Sequence, residues 1–133
     1  MEYFKKYIDG NLGDVLYFVF RFLIGSMFFM HGAQKLFGWF SGKAIGFSGL
    51  MGVVGILEFL IGLAIIAGFL TRLSAIGGII VMAGAYITVH LGWNPLATKG
   101  EAALLYLAAF LVLLAFGARK WSLDKVLFKK EVF

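Results

Sequence analysis

The sequence predicts an all-α membrane protein, a four-transmembrane-helix antiparallel bundle, and three observations predict it. Hydrophobic residues make up 62% of the 133 residues and charged residues only 14%, against about 45–50% and about 25% in soluble domains. A chain this short exposes too large a share of its surface to hide that much apolar material from water. The apolar residues also form four continuous runs, not alternating ones. Each run, with its flanks, approaches the roughly 20 residues that a helix needs to cross about 30 Å of hydrocarbon. Short connections then set neighbouring helices antiparallel. The same composition excludes disorder. The absence of cysteine excludes disulfides, thiolate metal sites and cysteine nucleophiles within the chain.

The whole chain, 1–133, reads as one four-span domain. The first span is expected at about 15–38 and carries Arg21 within its apolar stretch and His31 and Lys35 towards its end. Mixed charges precede it (Glu2, Lys5, Lys6, Asp9, Asp14), and no A-x-A cleavage pattern follows a short apolar core, so it reads as a retained helix, not a signal peptide. The connection 39–49 holds Gly42, Gly46 and Gly49 and is expected to lie on the membrane surface or dip into it. Span two, about 50–70, contains one charge, Glu58; span three, about 73–93, has none but contains His90. Asn94-Pro95 marks the loop before span four, about 101–118, which Glu101 opens. Glycine, at 18 residues, is about twice its usual frequency. Ala64/Gly68, Ser74/Gly78 and Gly84/Thr88 form small-xxx-small pairs that let helix backbones approach in lipid.

Basic residues set the orientation. Of the twelve, eight lie in the N-terminal tail, the turn at Arg72 and the C-terminal tail, and three (Lys35, Lys43, Lys99) lie on the opposite side. The positive-inside rule therefore puts both termini in the cytoplasm. Aromatic residues fit those borders, with Trp39, Phe40 and Trp93 outside and Tyr3, Tyr7 and Trp121 inside. The net charge of +5 faces anionic lipid in a chain this apolar, and no nucleic-acid partner is expected.

Ionisable residues inside a span are costly and mark candidate function. Here they are Arg21, His31, Lys35, Glu58, His90 and Glu101. His31 lies roughly 10 Å, and Glu58 roughly 12 Å, below the outer end of its span, so the two are at matching depth and an imidazole–carboxylate pair is expected. Arg21, His31 and Lys35 share a sector of about 80° on span one, and Arg21 lies nearer the cytoplasmic side. The result is a polar pocket in the outer half of the bundle. Two histidines and two carboxylates could ligate a transition metal, but His31 and Glu58 lie deeper than His90 and Glu101, and no metal site is assigned. The same groups could relay protons. Lys35 and Arg21 could hold an oxyanion or a quinone carbonyl. The plainer alternatives also stand: Arg21 and the His31–Glu58 pair as packing elements, and Lys35, His90 and Glu101 as interface residues.

The run Arg21-Phe-Leu-Ile-Gly25 with His31-Gly-Ala-Gln-Lys-Leu-Phe-Gly38 resembles the first span of DoxX family membrane proteins. Glu58 and Gly62, Gly68-Phe-Leu-Thr-Arg72, Met82, Ala83, Ala85, His90, Glu101, Gly117 and Trp121-Ser-Leu-Asp124 continue the resemblance over roughly residues 15–126. It implies a four-helix protein of the cytoplasmic membrane. The family takes its name from a subunit of a thiosulfate:quinone oxidoreductase, and other members are linked to thiol and oxidative stress. No haem, flavin or Fe–S motif is present, so a redox role calls for a bound quinone or a partner redox subunit. On this reading His31 and Glu58 handle protons as catalytic residues, and Arg21, Lys35, His90 and Glu101 bind substrate or quinone. The alternative is a non-enzymatic scaffold or small-solute carrier. Glycine-rich faces also allow a homo-oligomer.

Overall fold

A computed structural model describes residues 1–89 and 100–130. The regular structure among them is helical: α1 (Glu2–Tyr7), α2 (Gly13–Phe37), α3 (Gly49–Ala67), α4 (Thr71–Val89), α5 (Glu101–Phe116) and α6 (Leu123–Phe128). Between α1 and α2 the turn Ile8–Leu12 is kinked at Gly10 (φ −97°, ψ −139°). Three segments are long and apolar enough to cross a membrane: Glu2–Phe37, Gly49–Ala67 and Thr71–Thr88. The fourth, α5, is apolar but only 16 residues long.

Helices α2, α3 and α5 each stop at a glycine. Gly38 takes φ 74° and its N–H donates to the Gln34 carbonyl, closing α2. The α3 end is a Schellman turn: the Gly68 N–H donates to Ile65 and the Phe69 N–H to Ala64. Gly68 has φ 73°, and a Cβ there would lie 2.8 Å from Ser122 Cα, so conformation and space both require glycine. This stop places the end of α3 at Ala67, three residues short of the expected limit of the span.

Helix pairing is antiparallel wherever contacts define it. Along α2 and α3, Gly25 meets Gly62 and Ile66, and Gly32 meets Gly55 and Phe59. A Cβ on Gly32 would stand 2.3 Å from the Phe59 nitrogen, and one on Gly62 would stand 2.4 Å from the Phe29 nitrogen. The two backbones therefore touch through glycines seven residues apart on each helix. The four-spaced pairs named from the sequence do not make this seam. Gly78 abuts the Phe110 ring of α5, Gly68 is a turn residue, and a Cβ on Gly84 would meet nothing within 4 Å.

Between α4 and α5, Arg72 Nε donates to the Leu114 carbonyl, and Arg72 Nη2 to that of Ala115. A cation thus meets the free carbonyls at the negative end of α5. Between α2 and α5, Phe28 packs edge-on against Phe110, with ring centroids 4.9 Å apart. At the end of α5 the Tyr17 hydroxyl donates to the Gly117 carbonyl at 2.5 Å. Phe28, Ile61, Ile65, Phe110 and Leu113 form a core shared by α2, α3 and α5. Large side chains such as Phe22, Leu60 and Ile80 point outward, as a lipid-facing surface requires.

The 39–48 connection folds back onto α2. The Ile45 and Gly46 N–H groups both donate to the Lys35 carbonyl, and Gln34 Nε2 donates to the carbonyl of Phe40. The connection is therefore moored to the last turn of the helix that carries the candidate site.

Candidate functional site

The charged residues expected inside the spans separate into two clusters at opposite ends of the helices. One lies towards the end carrying the 39–48 connection, the far end. The other lies towards the end carrying α1 and α6, the terminal end.

At the far end, the Glu58 carboxylate has Lys35 as its partner. Lys35 Nζ lies 2.5 Å from Glu58 Oε2, and the two side chains are 20% and 4% exposed. The expected pairing of Glu58 with His31 is corrected by this contact, and the reason is steric. Gly55 stands one turn before Glu58 on α3, and a Cβ there would already be 3.1 Å from Lys35 Cβ. The missing side chain opens a path for the lysine stem to reach the carboxylate. His31 instead packs its ring edge-on against Tyr106 of α5, with centroids 5.7 Å apart. His31 and Tyr106 both remain within electrostatic range of Glu58. Among the described residues neither the His31 imidazole nor the Tyr106 hydroxyl has a hydrogen-bond partner. The site therefore combines an ammonium, a carboxylate, an imidazole and a phenol, against the aromatic wall of Phe28, Tyr106 and Phe110.

Glu101 begins α5, where its charge complements the helix N-terminus, and it is exposed. No bond joins it to the Lys35–Glu58 pair among the described residues. His90, like Trp93, Asn94-Pro95 and Lys99, lies outside the described residues.

Arg21 belongs to the terminal-end cluster. It lies fourteen residues before Lys35 on one continuous helix, roughly 21 Å away along the axis. The two cations therefore do not act on one ligand group, contrary to the expectation that grouped them. The Arg21 side chain is 1% exposed. Its Nη1 donates to the Ala118 carbonyl at 2.7 Å, and its guanidinium stands 5.3 Å from the Phe18 ring centroid. Beside it, Asp124 is fully buried, and its Oδ2 accepts from the Leu70 N–H at 2.9 Å. Ser122 caps α6 by accepting from the Lys125 N–H. Residues 118–124 thus fasten both α2 and the α3–α4 turn.

Sequence reasoning missed Tyr106, and it named Asp124 only within the Trp121-Ser-Leu-Asp124 run, not as a buried group. Tyr106 carries no charge, and its only signal is a hydroxyl in an apolar run. Asp124 lies outside the spans, and its signal is the Ser122-x-Asp124 opening of a short helix.

Among known proteins, the chain is similar to a Haemophilus influenzae protein described as uncharacterized. The two are 34% identical over 120 residues, covering 83% of this chain and 89% of that relative. No solved structure matches the chain. The DoxX family profile matches residues 16–91, the segment that holds Arg21, His31, Lys35 and Glu58. With more than half its length matched, this multi-pass membrane protein belongs to the DoxX family.

Proposed function

We propose that the chain is the membrane subunit of a quinone-linked oxidoreductase, acting on thiosulfate or a related sulfur donor or in oxidative-stress defence. In this reading it is a single four-span bundle of the cytoplasmic membrane with both termini in the cytoplasm, and α5 with its flanks makes the fourth crossing. The single observation that carries the reading is the Lys35–Glu58 ion pair, enclosed between two apolar helices beside His31 and Tyr106. Lipid-embedded ion pairs are costly to keep and concentrate where protons or charged groups are handled.

The donor set fits a quinone: a cation and an imidazole for carbonyl oxygens, and aromatic side chains for the ring. A bound quinone would supply a two-electron acceptor that takes up two protons on reduction. Lys35 Nζ would hold a carbonyl oxygen by a charge-assisted hydrogen bond, with Glu58 balancing its charge. His31, with a free imidazole, would hold and pass protons together with Glu58. Glu101, at the start of α5, would flank the outer approach. The electrons would come from a partner redox subunit, since the chain has no redox motif of its own.

The test is purification in native lipid with co-purifying subunits, followed by quinone extraction and assay of quinone reduction with thiosulfate or sulfide. Bound quinone, with turnover lost in Glu58→Gln and His31→Asn, is the expected result. Absence of both quinone and turnover while the partner subunits are present overturns it.

A second reading, a scaffold or small-solute carrier, is favoured by one observation: Lys35 and Glu58 bond to each other across the α2–α3 seam, as a latch would. In that case Glu58→Gln lowers yield and melting temperature, and no quinone is found.

A further inference from the structure

We propose that the terminal end of the bundle holds an anionic phospholipid, its phosphate in the cationic cavity below Arg21 and an acyl chain in the adjoining groove between α3 and α4. The proposal rests on the chain lying in a membrane and is independent of the redox reading.

Two cavities carry it. The first, about 510 Å³, opens between α2, the end of α3 and residues 120–126. Arg21, Lys120 and Lys125 line it, and no Asp or Glu does. The Arg21 side chain is 1% exposed and is fixed by its bond to the Ala118 carbonyl, so one cation of the three is preset. Lys120 Nζ lies 5.5 Å from the Trp121 ring centroid and has long, exposed contacts to Asp14 Oδ2 (4.0 Å) and Asn11 Oδ1 (3.4 Å) that a phosphate would replace, and Lys125 Nζ is held by the Arg119 carbonyl. The remaining wall, with Phe18, Ile66, Ala67 and Val126, is apolar. A cavity half cationic and half apolar at the end of an apolar bundle selects a ligand with both characters.

The second cavity, about 710 Å³, is an apolar groove along α3 and α4. It shares Ala67 and Leu123 with the first, so the two adjoin. From Ala67 it follows α3 back to Leu57, roughly 15 Å at the helical rise, which is the reach of a large part of an acyl chain. Charge complementarity selects an anionic head, and the adjoining apolar groove selects a tail. Together they specify a phospholipid rather than a soluble oxyanion.

The experiment uses the full chain in detergent, titrated with phosphatidylglycerol, phosphatidylcholine or inorganic phosphate. Bound lipid is counted by native mass spectrometry, and melting temperature is read in parallel. Phosphatidylglycerol should bind and raise the melting temperature, and phosphatidylcholine should bind on the order of thirtyfold more weakly. In Lys120→Gln/Lys125→Gln that preference should fall about thirtyfold. Both residues are exposed, and the lipid-free melting temperature checks that the fold is kept. Ala64→Phe, which fills the groove, should weaken phosphatidylglycerol binding without restoring phosphatidylcholine to parity. Equal binding of the two lipids overturns the proposal. So does an undiminished preference in the lysine variant, or binding of inorganic phosphate that displaces the lipid and matches its effect, which would mark a soluble oxyanion site instead.

Discussion

The far-end and terminal-end clusters both bury charge, but they satisfy it differently. At the far end, Lys35 and Glu58 satisfy each other, side chain to side chain, between two helices. At the terminal end, Arg21 and Asp124 each bond to main chain: Arg21 donates to the Ala118 carbonyl and Asp124 accepts from the Leu70 N–H. Side chains bound to main chain hold loops in place, and changing them alters the architecture. A side-chain ion pair holds only its partner, and either group can turn to a ligand without unfolding a loop. The first arrangement suits a structural role, and the second suits a site. That is why the redox reading rests on the far end.

This difference can be broken experimentally, starting with the largest effect. Arg21→Ala removes a charged hydrogen bond, the contact with Phe18 and a buried stem. It should destabilise the fold by about 3 kcal/mol, read by thermal melting in detergent. Gly32→Ala should cost about 2 kcal/mol, since its Cβ would meet the Phe59 main chain and force α2 and α3 apart. Glu58→Ala leaves Lys35, 20% exposed, without its counter-charge in an apolar setting and should cost about 2 kcal/mol. The double change Lys35→Met/Glu58→Leu replaces the pair with apolar groups and should melt within about 1 kcal/mol of the parent, while quinone retention is lost. A double variant that melts as low as Arg21→Ala would erase the distinction and make the far end a latch. The smallest effect is expected for Asp14→Asn. Its contacts to Arg119 at 3.6 Å and Lys120 at 4.0 Å are solvent-exposed, worth under about 0.5 kcal/mol and weaker still in high salt.

The helical, membrane-embedded class was legible because lipid demands continuous apolar runs and leaves no other reading of them. The depth of Glu58 was legible too, because helical rise converts sequence position into distance. Its partner was not. Lys35 prevails over His31 because Gly55 on the other helix leaves room for a long stem, and that requires knowing which faces of α2 and α3 meet. The glycine seam was hidden for a related reason: attention to four-residue spacing passes over Gly25/Gly32 and Gly55/Gly62, which repeat every seven. Asp124 was illegible as a buried group because its burial comes from a turn more than fifty residues away.

That distance sets an order of assembly. The turn between α3 and α4 is fastened by the main chain and side chain of Asp124, which is synthesised only after α5 has followed both helices. Until then Leu70 must hold its strained φ of 45° without the carboxylate that receives its N–H. The α3–α4 hairpin is thus synthesised before its clasp, which only the segment after α5 can supply. A nascent chain stalled before Asp124 would contain every long helix and lack the clasp that joins them.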